Sequence, residues 1–325
     1  MRFDKDGFPI PPAFERRSDA ARDDHFPLSG NALSSTGRQP PGTAASEPAA
    51  PRAGWLKRAV VLTVLALGIV PAILGPMLMP SIRQAVVTWS LERAVLHEAR
   101  GNLPGAIADL DRAVSWHGDE ADLLCMRAML RLENRDSAGA LEDANRAAAI
   151  APTAIQPLRI RALVQVVRGD AAAALADAGM VVEFASRGDP DALNHRAYIR
   201  ALVGRELPAA LVDIDAAIES AGEASAELLD TRGYILHLLG RQQEAVDQLN
   251  LAIDRMQQSR RQLALLAGRI EPGELARRLR SIDHALAVMF HHRGLACRSI
   301  GLEQQARQDL EFAERKGFDP TRGIF

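Results

Sequence analysis

Aromatic residues make up only 4% of this 325-residue chain, and cysteine occurs twice. An aromatic-filled β-sandwich is therefore not expected. The 47% hydrophobic content is mostly Ala, Leu, Val and Ile, a mixture that suits helices crossing closely over small side chains. Cys125 and Cys297 form no CxxC and no metal-ligand spacing, so they read as small buried apolar residues. Neither sign of charge is in surplus: 39 basic against 41 acidic residues leave a net −2, without the basic excess that nucleic-acid binding requires. Catalytic signatures are missing as well. There is no Walker A loop, no GxGxxG after a strand and no GxSxG elbow. The one histidine group, His284, His291 and His292, lacks HExxH or an i, i+4 pair. The chain is expected to be no enzyme, with no cofactor and no metal.

What is present divides into regions. Residues 1–54 hold eight of the eighteen prolines, interleaved with charges and small residues, and read as a disordered tail. Four of the nine phenylalanines, Phe3, Phe8, Phe14 and Phe26, lie in it, and its first twelve residues are a candidate docking peptide. Residues 55–80 are expected to form a transmembrane helix. The stretch 59–79 has 21 residues without a charge, which as a helix spans roughly 30 Å, the thickness of the hydrocarbon core. Trp55, Lys57 and Arg58 flank it, and Pro71 and Pro76 are expected to kink it. Arg52, Lys57 and Arg58 precede the run and Arg83 alone follows closely, so the positive-inside rule puts residues 1–54 in the cytoplasm and the remainder across the membrane.

From Ser81 onward the apolar spacing is helical, and it repeats. Arg followed by Ala or Gly occurs at Arg93, Arg127, Arg161, Arg196, Arg232 and Arg293, in steps of 34, 34, 35, 36 and 61. Eight residues after each Arg stand Gly101, Arg135, Gly169, Gly204, Gly240 and Gly301; thirteen after stand Ala106, Ala140, Ala174, Ala209, Ala245 and Ala306. A glycine there ends the first helix of a hairpin through a left-handed cap, and the alanine allows the second helix to cross closely. Repeat four fits the later marks, Ala217 and Asp213, only with one residue inserted after Gly204. A helical hairpin of 34 residues with these marks, cleanest over Ala121–Ala154 with Pro152 near its end, resembles the tetratricopeptide repeat family. The resemblance covers about residues 84–320 and implies an all-α, right-handed superhelical solenoid of about six hairpins. Repeats one to five occupy 84–253 and repeat six 287–325; the 254–286 insertion is expected to lengthen the flanking helices into a protrusion with a solvated basic face.

Asp109, Asp143, Asp177, Asp213 and Asp309 recur on the second helices, with Asp247 one place off in repeat five. Against Arg127, Arg161, Arg232 and their equivalents they suggest a structural Arg–Asp ladder, bidentate and partly buried, that sets register. The two cysteines then lie several repeats apart, on the order of 40 Å at 8–10 Å per helix layer, beyond disulfide reach.

The resemblance further implies that the first helix of each hairpin lines a concave face that holds a partner's peptide or helix. The positions two before each Arg are Leu91, Cys125, Arg159, Asn194, Asp230 and His291; those two after are Val95, Met129, Leu163, Tyr198, Tyr234 and Leu295. The wall is apolar in repeats one and two and polar beyond. The partner-binding residues expected are Arg159, Asn194, Tyr198, Asp230, Tyr234 and His291, with the two tyrosines as anchors. The Lys and Asn clamp by which some members hold a C-terminal carboxylate is missing. The expected function is a membrane-anchored protein-interaction scaffold; a sensor docking a partner through its tail, or a self-assembling structural protein, are the alternatives.

Overall fold

The computed structural model describes residues 2–3, 9–10, 53–65, 68, 70–118 and 120–319. The chain divides into two units, Met1–Leu62 and Thr63–Phe325. In the first, the strands β1 (Arg2–Phe3) and β2 (Pro9–Ile10) pair antiparallel, with Arg2 opposite Ile10. The rest of the expected disordered tail, Phe8, Phe14 and Phe26 included, lies outside the described residues.

The uncharged run 59–79 is not one helix. α1 (Ala53–Val64) ends and α2 (Val70–Ala99) begins inside it, with Pro76 and Pro80 in the interior of α2. Pro71 is the physical reason: its ring lacks an N–H and collides with the carbonyl four residues earlier. Among the described residues no helix is long and apolar enough to cross a membrane. The apolar side chains are nonetheless uncovered. Eleven of the twenty-three exposed large hydrophobic residues fall between Trp55 and Ile82.

After α2 the chain is a succession of helices: α3 (Leu103–His117), α4 (Ala121–Glu133), α5 (Ser137–Ile150), α6 (Ile155–Val167), α7 (Ala171–Phe184), α8 (Pro190–Leu202), α9 (Leu207–Ala221), α10 (Ala226–Leu238), α11 (Gln242–Leu265), α12 (Pro272–Ser299) and α13 (Glu303–Arg315). They pair as six hairpins, α2–α3 through α12–α13, and each first helix from α4 onward also packs on the hairpin before it.

Each hairpin turn is built alike. A left-handed residue closes the first helix at Gly101, Arg135, Gly169, Gly204, Gly240 and Gly301, all at φ between 64° and 81°. The next amide reaches back five residues, as Asp136 N–H does to the Arg131 carbonyl (2.8 Å) and Leu302 N–H to that of Cys297 (3.0 Å). In three turns the following side chain then caps the second helix: Asn102, Asp136 and Asp170 accept from the amides of Gly105, Gly139 and Ala173. Repeat four has its extra residue at Glu206, left-handed at φ 55°. The insertion moves the closely packed alanine from Ala209, which is exposed, to the fully buried Ala210.

The crossings are tight. Ala94, Ala128, Ala162 and Ala197 are buried at the place after the recurring Arg. Where Gly233 and Gly294 stand there, an added Cβ would meet Leu249 at 2.6 Å and Leu310 at 2.8 Å. Cys125 and Cys297 are buried free thiols in two separate apolar clusters.

Across each crossing runs an ion pair. Arg127 donates Nε and Nη2 to Asp143 at 2.8 and 2.6 Å, Arg161 to Asp177 at 2.7 and 2.6 Å, Arg196 to Asp213 at 2.7 Å twice, and Arg293 to Asp309 at 2.8 and 2.7 Å. In repeat one Arg93 stands 3.5 Å from Asp109. Repeat five departs from the expected pattern. Gln248 occupies the acid's place, Asp247 is bonded to Gln243, and Arg232 turns to Asp215 of the preceding hairpin at 2.7 Å. The same backward reach appears in Arg127 to Asp111 and Arg293 to Asn250, both 2.8 Å.

Removing one member leaves a buried, uncompensated charge. Arg161→Met is expected to lower stability by about 3–5 kcal/mol, whereas Arg161→Met with Asp177→Leu restores most of it. Chemical denaturation of the single and double variants checks this; equal losses in both would show that the pair's packing, and not its charge, matters.

Candidate functional site

The first helices α2, α4 and α6 enclose an apolar cavity of about 440 Å3, lined by Val95, Cys125, Met129, Leu130 and Ile160, with Glu98 and Asp122 at its polar edge. Val95, Cys125 and Met129 were all expected on the concave wall. Leu124 and Leu132 of α4 turn into the core instead.

Further along, the expected polar residues are brought into one neighbourhood, but several are already engaged. Asp230 is buried, and the imidazole Nδ1 of His292 lies 3.0 Å from its carboxylate. Tyr234 stacks on that same imidazole, with ring centroids 4.1 Å apart and planes 14° from parallel. Asp230 is thus a partner of His292 and no free groove acid, and one face of Tyr234 is covered. Tyr198 is half-buried, and burial, with Asp230 and Tyr234 adding to it, raises its hydroxyl's pKa well above the usual tyrosine value. Asn194 is half-buried with an amide oxygen that meets no partner. Arg159 is half-buried and makes no ion pair among the described residues.

His291 sits in the last hairpin, in a cavity of about 540 Å3 with Leu295, Leu310 and Phe318. Its ring stands 4.6 Å from that of Phe318, which covers it. Burial, then the neighbouring His292 and Arg298, pushes its pKa down to about 4.

His195 was not singled out in the sequence, and His292 was named there only as one of a histidine group without metal-ligand spacing. His195 and His292 both occupy the position immediately before the recurring Arg, a column otherwise filled by Glu92, Met126, Ile160 and Thr231. Reading that column beside the one before it would have found them. His195 is only 4% exposed, and its Nε2 has no hydrogen-bond partner. Burial, and then the charge of Arg159, lowers its pKa to about 3.

The insertion is a protruding helical hairpin made of the ends of α11 and α12. Its basic face is less free than expected: Arg260 pairs with Asp283 at 2.6 Å, and Arg277 and Arg278 both with Glu274. At its base, Arg280, His284 and Lys316 face Glu98 and Glu133 across a cavity of about 620 Å3. Arg135 also donates to Asp319 at 3.0 Å, so the second hairpin meets the segment after the sixth. Among the described residues no three His, Cys, Asp or Glu side chains gather to hold a metal ion.

No family model and no curated protein matches the chain. Solved structures of similar fold include a tetratricopeptide repeat protein from Parabacteroides merdae, at 18% identity over 72% of this chain and 94% of that one, with a TM-score of 0.44. A thermophilic tetratricopeptide protein of Thermus thermophilus is 18% identical over 60% of this chain and 98% of its own, with a TM-score of 0.46. PilW, a widely conserved type IV pilus biogenesis factor, is 17% identical over 62% and 93%, with a TM-score of 0.45. Two of these three are named as tetratricopeptide repeat proteins.

The depressed histidine makes stability depend on pH. The unfolded chain takes up the His195 proton near pH 6.5 and the folded chain only near 3, so stability is full above 6.5 and falls as pH drops through that window. The loss reaches on the order of 5 kcal/mol at most. His195→Gln is expected to flatten the difference in denaturation midpoint between pH 7 and pH 5; an unchanged difference would assign it to other groups.

Proposed function

We propose that this chain is a membrane-anchored scaffold that holds a peptide or helix of a partner protein against the concave face of its helical hairpins. The observation that carries this reading is the open apolar cavity of about 440 Å3 formed by Val95, Cys125, Met129 and Ile160 on consecutive first helices. An uncovered apolar concavity at that place offers a side-chain anchor, and the polar surface beyond it offers hydrogen bonds along an extended chain.

Anchoring is supported by the uncharged run 59–79 and by the exposure of Val60, Val61, Leu62, Val64, Leu74, Met77 and Leu78, an apolar surface that water does not favour. Arg52, Lys57 and Arg58 on its N-terminal side, against Arg83 on the other, support a cytoplasmic tail with the hairpins across the membrane.

A photo-crosslinking residue in place of Met129, on the concave side, is expected to capture a discrete partner in cells, while the same residue in place of the exposed Val212 on α9 captures none. Equal capture from both positions, or none from either, would remove the groove. In the same cells the chain is expected to stay with membranes through an alkaline carbonate wash, and Leu62→Arg with Leu74→Arg to release it; a wild-type chain found in the wash has no anchor.

A further inference from the structure

The six hairpins permit an internal comparison. Asp230, two before the recurring Arg of the fifth hairpin, meets His292, one before that of the sixth, and Arg159 acts on His195 from the same two places of the third and fourth, so the two columns can be paired by position along the chain. The successive pairs are Leu91 with Met126, Cys125 with Ile160, Arg159 with His195, Asn194 with Thr231, and Asp230 with His292. The first two are apolar and need no partner. The last is complete: Asp230 and His292 meet at 3.0 Å, both buried.

The Arg159–His195 junction is the same arrangement with the acid missing. A cation stands where Asp230 stands two hairpins later. His195 is left with a buried Nε2 that has no hydrogen-bond partner, and beside it the Asn194 amide oxygen is equally unpartnered. Arg159 itself makes no ion pair among the described residues, whereas the crossing arginines Arg127, Arg161, Arg196 and Arg293 are bonded to acids at 2.6–2.8 Å. Leaving a buried polar nitrogen unpaired costs about 1–3 kcal/mol, and that deficit is recovered if a ligand supplies the acceptor. We infer that the Arg159–His195 junction is a receptor for an acidic side chain, Asp or Glu, of the partner held in the concave face. The carboxylate accepts from the half-exposed guanidinium of Arg159 first, and from His195 Nε2–H once the guanidinium turns toward the ligand. With its pKa at about 3, His195 is neutral and so able to donate without adding a second buried charge. The site lies one hairpin beyond the apolar cavity, so a peptide with an apolar residue followed by an acidic one fits both. This inference rests on the concave face being a peptide groove.

The test uses the full chain in detergent micelles, with its histidine ring resonances followed while the capped pentapeptide Ala-Ala-Glu-Ala-Ala, or its Gln counterpart, is added. The Glu peptide is expected to shift the His195 resonance at a concentration roughly tenfold lower than the Gln peptide, the size of one charge-assisted pair. Arg159→Gln should erase the difference, and Arg159→Lys should keep most of it. Arg159→Asp, which rebuilds the Asp230–His292 arrangement at this junction, should erase it while raising the pKa of His195. Equal responses to the two peptides would overturn the receptor but leave the groove standing. A response that survives Arg159→Gln, no response to either peptide, or acetate alone matching the Glu peptide (an adventitious ion only) would also overturn it. The Met129 crosslink judges the groove separately.

Discussion

The structure depends on a guanidinium laid across each helical hairpin onto a buried carboxylate. In four of the six hairpins the two groups meet through two parallel hydrogen bonds of 2.6–2.8 Å, with the acid almost fully buried. Such a pair adds little net stability, because both ions must leave water. What it does add is geometry. A planar fork accepts a carboxylate in one orientation only, so the pair fixes how far one helix slides along the other. The small residues next to each Arg then allow the approach that the pair requires. Gly233 shows the limit, since a single Cβ there would press on Leu249 at 2.6 Å. Repeat five has this tightest kind of crossing without the acid, and repeat six, at Gly294, has it together with the Arg293–Asp309 fork.

The free prong of the fork ties neighbours together. Arg127 reaches Asp111, Arg232 reaches Asp215 and Arg293 reaches Asn250, each on the second helix of the hairpin before. The corresponding places before Arg161 and Arg196 carry Asn145, which makes no such bond, and Gly179, which has no side chain to make one. In a linear stack, stability is a sum of units and of the interfaces between neighbours. The middle interfaces, among the described residues, therefore lack this arginine tie, while the outer ones have it.

How much of this was legible in the sequence follows from which forces act locally. The hairpins were legible because their marks are short-range: a left-handed cap, an alanine crossing and an acid sixteen residues after an arginine all lie within one repeat. Even the inserted residue of repeat four was legible, and Glu206 is where it went. That α1 ends at Val64 and α2 begins at Val70 was not expected, although Pro71 was read as a kink; whether a proline bends or ends a helix depends on surroundings that the local pattern does not contain. Asp230 was read as a groove acid because its column faces inward. Its actual partner, His292, lies sixty-two residues away, across the insertion. Contacts between hairpins need two columns read together, and the sequence reading followed one at a time.

That distinction bears on where recognition resides. Along the concave face the columns change from apolar at Leu91 and Cys125, through Arg159 and Asn194, to the closed triad of Asp230, Tyr234 and His292. At one end the surface is open and has nothing to pair; at the other it is polar and already paired, with His291 covered by Phe318. Only the middle combines polar groups with unmet hydrogen-bonding capacity, at Asn194 and His195. It is also where the interfaces, among the described residues, lack the arginine tie. A junction without such a tie can adjust by small helix shifts without first breaking a buried ion pair, whereas the Asp230–His292 junction cannot. Adaptability and unsatisfied chemistry thus coincide at the Arg159–His195 junction, and a peptide lying along the groove gains most there.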